Sequence, residues 1–171
     1  MDEIPFDVNN EMLRNKFFTE ILPRAINTID INTPPLWGKM NVQHMIEHLI
    51  WTFEIAVGKI KVGCKTPEKL LPRAKAFLHN NTETPHDFKN PLIGENPLPL
   101  NFSNFSEAKT KLLEEIKNFT GHSQANPDSV YIHPIFGPIG NDEWERANYK
   151  HCYHHLIQFG LINTHLRYCN D

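Results

Sequence analysis

Three histidines crowd into the stretch "HCYHH": His151, His154 and His155, followed by Leu156, Ile157 and Phe159. Imidazoles so placed could ligate a metal ion, serve as a general base with helpers, or belong to a wet, histidine-rich surface. Projected as a helix at about 100° per residue, His155 falls inside a stripe formed by Trp144, Phe159, Ile162 and Leu166. His151 lies beside that stripe and His154 at its edge. One inward histidine is most often a core residue hydrogen-bonded to a neighbour. Two of them, one turn apart, each bring a donor and an acceptor to satisfy, at about 1–3 kcal/mol for each ring left unpaired. A shared divalent cation takes one nitrogen from each ring, and the i, i+4 spacing suits it.

A third ligand has to come from another segment. "VQHMIEHLIW" offers His48 at the border of its apolar arc and His44 further toward solvent. Metal sites in helical bundles draw side chains from facing helices, which favours His48. Three neutral imidazoles leave the ion its full charge and an open position, as a catalytic site requires. "HMIEH" also matches H-x-x-E-H, the inverted zinc-peptidase pattern, with Glu47 as base and Glu114 or Glu115 as a further ligand. That reading leaves the His151/His155 pair unexplained. "HCYHH" has no glutamate, so H-E-x-x-H chemistry cannot be built on it.

The elements that must position these residues read as helices between proline-rich loops. The spacing predicts a first helix from about Asn9 to Thr28, kinked or interrupted at Pro23. A second is expected to start at Asn41, a good N-cap, and to end at about Val57 before Gly58. A long connection, roughly 61–103, holds one short helix at "PEKLLPRAKAFL". A third helix follows Asn104, with Glu107 completing a capping box, Phe105, Ala108, Leu112, Ile116 and Phe119 inside, and Gly121 at its end. After the loop "YIHPIFGPIG", a fourth begins near Asn141, with Asp142 and Glu143 in its first turn, and runs to about Arg167. No strand pair and no repeat is expected. The fold class is therefore all-α: a four-helix bundle with a long crossover between helices two and three, as a single domain over 1–171.

Composition agrees with an ordinary globular chain: 171 residues, 40% hydrophobic, 22% charged, net charge −3. No basic run suggests nucleic acid or an anionic membrane. No leader-like apolar segment opens the chain and none is long enough to span a bilayer. Cys64, Cys152 and Cys169 are odd in number and widely spaced, which points to free thiols and a reducing cytoplasm. Cys152, at the side of the helical stripe, reads as a small core thiol. Trp37 and Trp51 are expected to pack the bundle or its ends. Glu47 and Glu54 read as a solvated face, and His79, His86, His122 and His165 as exposed and without partners.

A histidine in the second helix, a long crossover and H-x-x-H-H-x-x-Q in the last helix resemble the DinB/YfiT-like superfamily of small four-helix metal proteins. The likeness is strongest to an uncharacterised branch, through "WGKMNVQHMIEHL" and "HPIFGPIGNDEWERANYKHCYHHLIQFGL", about a quarter of the chain. Carried over by position, the resemblance implies His48, His151 and His155 as ligands of a divalent ion, with zinc, nickel, iron and manganese all suited to three imidazoles. It implies that His154 and Gln158 hydrogen-bond around the ligands and tune the site. His44 and His133 are further candidates for its surroundings. His133 and Phe136 fit a pocket mouth or plain loop packing. Leu156 and Ile157 stand where an arginine and a glycine usually follow the paired histidines. Characterised relatives include transferases and isomerases that use low-molecular-weight thiols such as bacillithiol or mycothiol; others are called hydrolases by analogy. The implied function is a metal-dependent hydrolase or thiol transferase acting on a small molecule, with a homodimer as the candidate assembly. The alternative is a non-catalytic helical bundle that binds metal or a small ligand.

Overall fold

The computed structural model describes residues 3–86, 88 and 96–164. His165, Leu166 and Cys169 lie outside them. The described residues are mostly helical, with two small two-stranded sheets among them.

Asn10 caps α1 (Glu11–Lys16) by accepting a hydrogen bond from the Leu13 N–H. A π-helical turn (Phe17–Ile21) then joins it to α2 (Leu22–Thr28). Pro23 has no N–H for the carbonyl one turn back. The helix absorbs the defect by widening instead of stopping, so that the Leu22 N–H bonds the Phe17 carbonyl. Asn41 caps α3 (Val42–Ala56) through the His44 N–H, and Gly58 follows the helix end, as the sequence predicts.

The crossover carries a 3-10 turn (Glu68–Leu70), α4 (Leu71–Ala76) and a second 3-10 turn (Phe77–His79). Asn104 caps α5 (Phe105–Ala125) through the Glu107 N–H. Among the described residues the reciprocal half of the expected capping box does not form; a Glu107 carboxylate oxygen accepts from the Ser103 hydroxyl instead. Gly121 does not end this helix. One glycine costs about 1 kcal/mol relative to alanine, which a long packed helix tolerates.

The stretch read as a loop is a hairpin. β2 (Val130–His133) pairs antiparallel with β3 (Gly137–Gly140), Tyr131 opposite Ile139 and His133 opposite Gly137. Its prolines, Pro134 and Pro138, hid the alternation that marks a strand. β1 (Glu3–Ile4) and β4 (Asn163–Thr164) form a short parallel pair. Between them, α6 (Asn141–Gln158) is shorter than expected. Gly160 takes φ +64° and lets the Gly160 and Leu161 N–H groups fold back onto the Ile157 and Leu156 carbonyls, closing the helix. Ile162 stays in the core from outside the helix.

Helix α3 packs against both α5 and α6, and α2 also reaches both. Glu47 meets Asn101 and Phe102, Glu54 meets Lys111, and Lys59 meets Glu115, so α3 and α5 run parallel, as the long crossover permits. Phe17, Met45, Leu49, Phe53, Leu112 and Trp144 are among the buried core side chains. The Glu115 carboxylate is fully buried and takes hydrogen bonds from Lys59 and Lys111. Burial pushes its pKa up, but the Lys111, Lys59 and Asn118 hydrogen bonds outweigh that and hold it below the ordinary value. Arg14 is likewise buried, bonded to Asp142, Glu145 and the Val8 carbonyl. Among the described residues, no helix is long and apolar enough to cross a membrane.

Candidate metal centre

Helix α3 contributes His48 and α6 contributes His151 and His155, and the three rings meet at their Nε2 atoms. His48 Nε2 lies 2.9 Å from His151 Nε2, which lies 3.0 Å from His155 Nε2. The three offer ligand nitrogens within 4.8 Å of one another, close enough to hold a metal ion. Burial pushes the His48 pKa down to about 4, and His154 adds to that. His151 and His155 fall well below the ordinary value, first through burial and then through neighbouring histidines. All three rings are neutral at pH 7.

The protons can be traced. Gln158 Nε2 donates to the Trp37 carbonyl at 2.9 Å, which turns Gln158 Oε1 toward His155. His155 Nδ1 lies 2.7 Å from that oxygen and carries the proton, leaving its Nε2 bare. A proton on His151 Nε2 can serve only one of its two short contacts. At most one of them is therefore a hydrogen bond while the rings are neutral. Among the described residues, buried His48 Nδ1 has no hydrogen-bond partner. The cluster has more inward lone pairs than protons to fill them, and a cation is the species that satisfies them together. The donor set fits a divalent ion.

The backbone holds this arrangement from outside. Leu36 N–H donates to the Gln158 carbonyl at 2.7 Å, and Gly38 (φ +84°) presses so close that an added Cβ would stand 2.8 Å from Gln158 Nε2. The segment "PPLWGK", just before α3, therefore clamps the glutamine that orients His155. His154 does not join the cluster. Its Nδ1 donates to the Thr84 carbonyl at 3.2 Å, tying the crossover over the site.

Comparison with protein-family models, with curated proteins and with solved structures finds no match to this chain.

The triad lies on the wall of a cavity of about 590 Å³. Trp37, Trp51, Phe77, Phe136 and Trp144 supply much of that wall, so the two tryptophans expected at the bundle ends line the chamber. His133 also faces it. Its Nδ1 accepts the Ile135 and Phe136 N–H groups at 3.0 and 3.3 Å, which places the ring proton on Nε2. Burial lowers its pKa to about 3.

His44 lies off the cavity and outside the cluster, because it projects from another face of α3. Its neighbour Glu47 is not a freely solvated residue. It accepts from Gln43, Asn101 and Phe102, pinning the end of the crossover to α3. With Glu115 engaged by its lysines and Glu114 exposed, the inverted-peptidase arrangement is not assembled among the described residues. Glu54 faces Lys111 at 3.8 Å.

Two expected loners have partners: His86 stacks on Trp37 with centroids 3.7 Å apart, and His122 meets the Tyr131 hydroxyl at 3.1 Å. Exposed His79 stands 3.7 Å from a Glu143 oxygen. Cys152 is buried, and burial raises its thiol pKa far out of the nucleophilic range. The sequence reading missed Asn148 and Lys150, both buried on α6 and lining the cavity. Two polar residues inside an otherwise apolar helical face were the signal that could have found them.

Proposed function

We propose that this chain is a metal-dependent enzyme in which His48, His151 and His155 hold a divalent ion that activates water or a low-molecular-weight thiol. We read its helices as a four-helix bundle of the DinB/YfiT type. The observation that carries this reading is the convergence of three Nε2 atoms, with more lone pairs than protons, on the wall of a substrate-sized cavity. When bound, a divalent ion there supplies Lewis acidity, lowering the pKa of a water or thiol to near neutrality.

The chain's own residues do the rest. Gln158 keeps the His155 proton on Nδ1 and so keeps Nε2 free to ligate. His133 presents its Nε2–H as a neutral donor to an oxygen in the chamber. The aromatic wall lowers the local polarity, which strengthens polar contacts made against it. A wide chamber beside the triad favours an open catalytic position over an enclosed structural one.

Elemental analysis of tag-free protein tests the reading, with His48→Ala and His151→Ala alongside. Near-stoichiometric metal in the wild type, lost from both folded variants, is the expected result. Azide or a small thiol should then perturb the bound ion. Wild type that stays empty after reconstitution with zinc, nickel, iron(II) and manganese refutes it.

A further inference from the structure

An ammonium is enclosed in the wall of the aromatic chamber. Lys150 is 3% exposed. Its Nζ donates to the Thr82 carbonyl at 2.7 Å and lies 3.9 Å from the Phe77 ring centroid. Lys150, Thr82 and Phe77 all line the cavity that holds the triad. A second ring, Phe6, lies 5.5 Å from the same atom. A carbonyl dipole and two ring faces favour the charged amine, yet none of them carries a full negative charge. Burial lowers the Lys150 pKa to about 8, which leaves the amine charged at pH 7; among the described residues Nζ forms no ion pair, the Glu83 carboxylate favouring the charge only through space. An ammonium has three N–H donors, and only one is taken by a hydrogen bond here. Buried charges are ordinarily paired, so this one is set to meet an anion.

We infer that the chamber takes a small aromatic or apolar carboxylate, its carboxylate on Lys150 Nζ and its apolar body against the Trp51, Phe136 and Trp144 wall. The inference rests on the chamber being the substrate site of the proposed metal centre, and it names the substrate class. The aromatic wall buries the body without directional demands. The carboxylate contributes selectivity, because a charge-assisted hydrogen bond is about twice as strong as a neutral one.

The test compares phenylacetate with its neutral isostere phenylacetamide, in chelator-treated protein, so that no metal contributes to carboxylate binding. Trp37, Trp51 and Trp144 are the chain's only tryptophans and all line the cavity, so intrinsic fluorescence reads occupancy directly. Wild type should bind the carboxylate at least about tenfold more tightly than the amide. Lys150→Arg should keep that preference. Lys150→Met should abolish it while changing amide affinity by less than about threefold.

Equal binding of the two probes by wild type overturns the inference, and so does a preference that survives Lys150→Met or an absence of saturable binding. If Lys150→Met does not fold, the wild-type comparison still decides. Metal content, measured on untreated samples, reports the triad independently, so either idea can fail alone.

Discussion

Mild acid should destabilise the metal-free chain well before its carboxylates protonate. The perturbation is a drop from pH 7 to pH 5 in the presence of a chelator. His48 and His133 ionise at about 4 and about 3 in the folded chain, against an ordinary value of 6.5. With both values lowered, the unfolded chain binds more protons, so stability is complete above pH 6.5 and is lost as the pH falls toward the folded values.

Each histidine contributes a slope of about 1.4 kcal/mol per pH unit inside that window. The two together therefore remove about 4 kcal/mol by pH 5, a large part of the roughly 5–15 kcal/mol that holds a typical domain folded. His151 and His155 act in the same direction. Glu115 stays out of the window, its pKa being held below 4.5. Urea unfolding followed by circular dichroism at pH 7, 6 and 5 measures the slope. His133→Asn, whose side-chain oxygen can accept the same backbone N–H groups, should reduce it by about 1.4 kcal/mol per unit. A stability that is flat from pH 7 to 5 would refute the claim that these rings are buried neutral.

Other perturbations separate the parts of the site. Gln158→Leu should weaken zinc binding by about 10–100-fold in competition with a chromophoric chelator, with helix content unchanged. Gly38→Ala adds a Cβ where φ is +84° and the Gln158 amide is 2.8 Å away. It should lower the melting temperature and weaken metal binding together, through the same amide, with a stability loss of about 1 kcal/mol or more. Replacing both Lys59 and Lys111 by methionine leaves the Glu115 carboxylate buried without a counter-charge. Urea titration should then show a loss of about 3 kcal/mol or more, against a much smaller loss for Lys59→Met alone.

Much of the site was legible from local pattern alone. Helical periodicity placed His151 and His155 on one face, and the asparagine caps at Asn41 and Asn104 fixed two helix starts to the residue. Periodicity failed where non-local contacts set the outcome. The run through Leu161 and Ile162 keeps helical spacing, but Gly160 turns the chain and Ile162 reaches the core from outside the helix. Glu47 looked solvated because its partners, Asn101 and Phe102, arrive from the far end of the crossover. The hairpin at 130–140 was obscured by its prolines.

The sequence by itself determined which way each histidine leaves its helix, because side-chain direction follows from a fixed turn per residue. It therefore selected His48, His151 and His155 as candidates. Only the tertiary structure decided that three Nε2 atoms meet about a common point, that Gln158 settles the His155 tautomer through the Trp37 carbonyl, and that Lys150 lies enclosed beside the aromatic wall. Those facts depend on distances between elements. Such distances are set by how whole helices and the crossover pack, to which no local pattern of residues is sensitive.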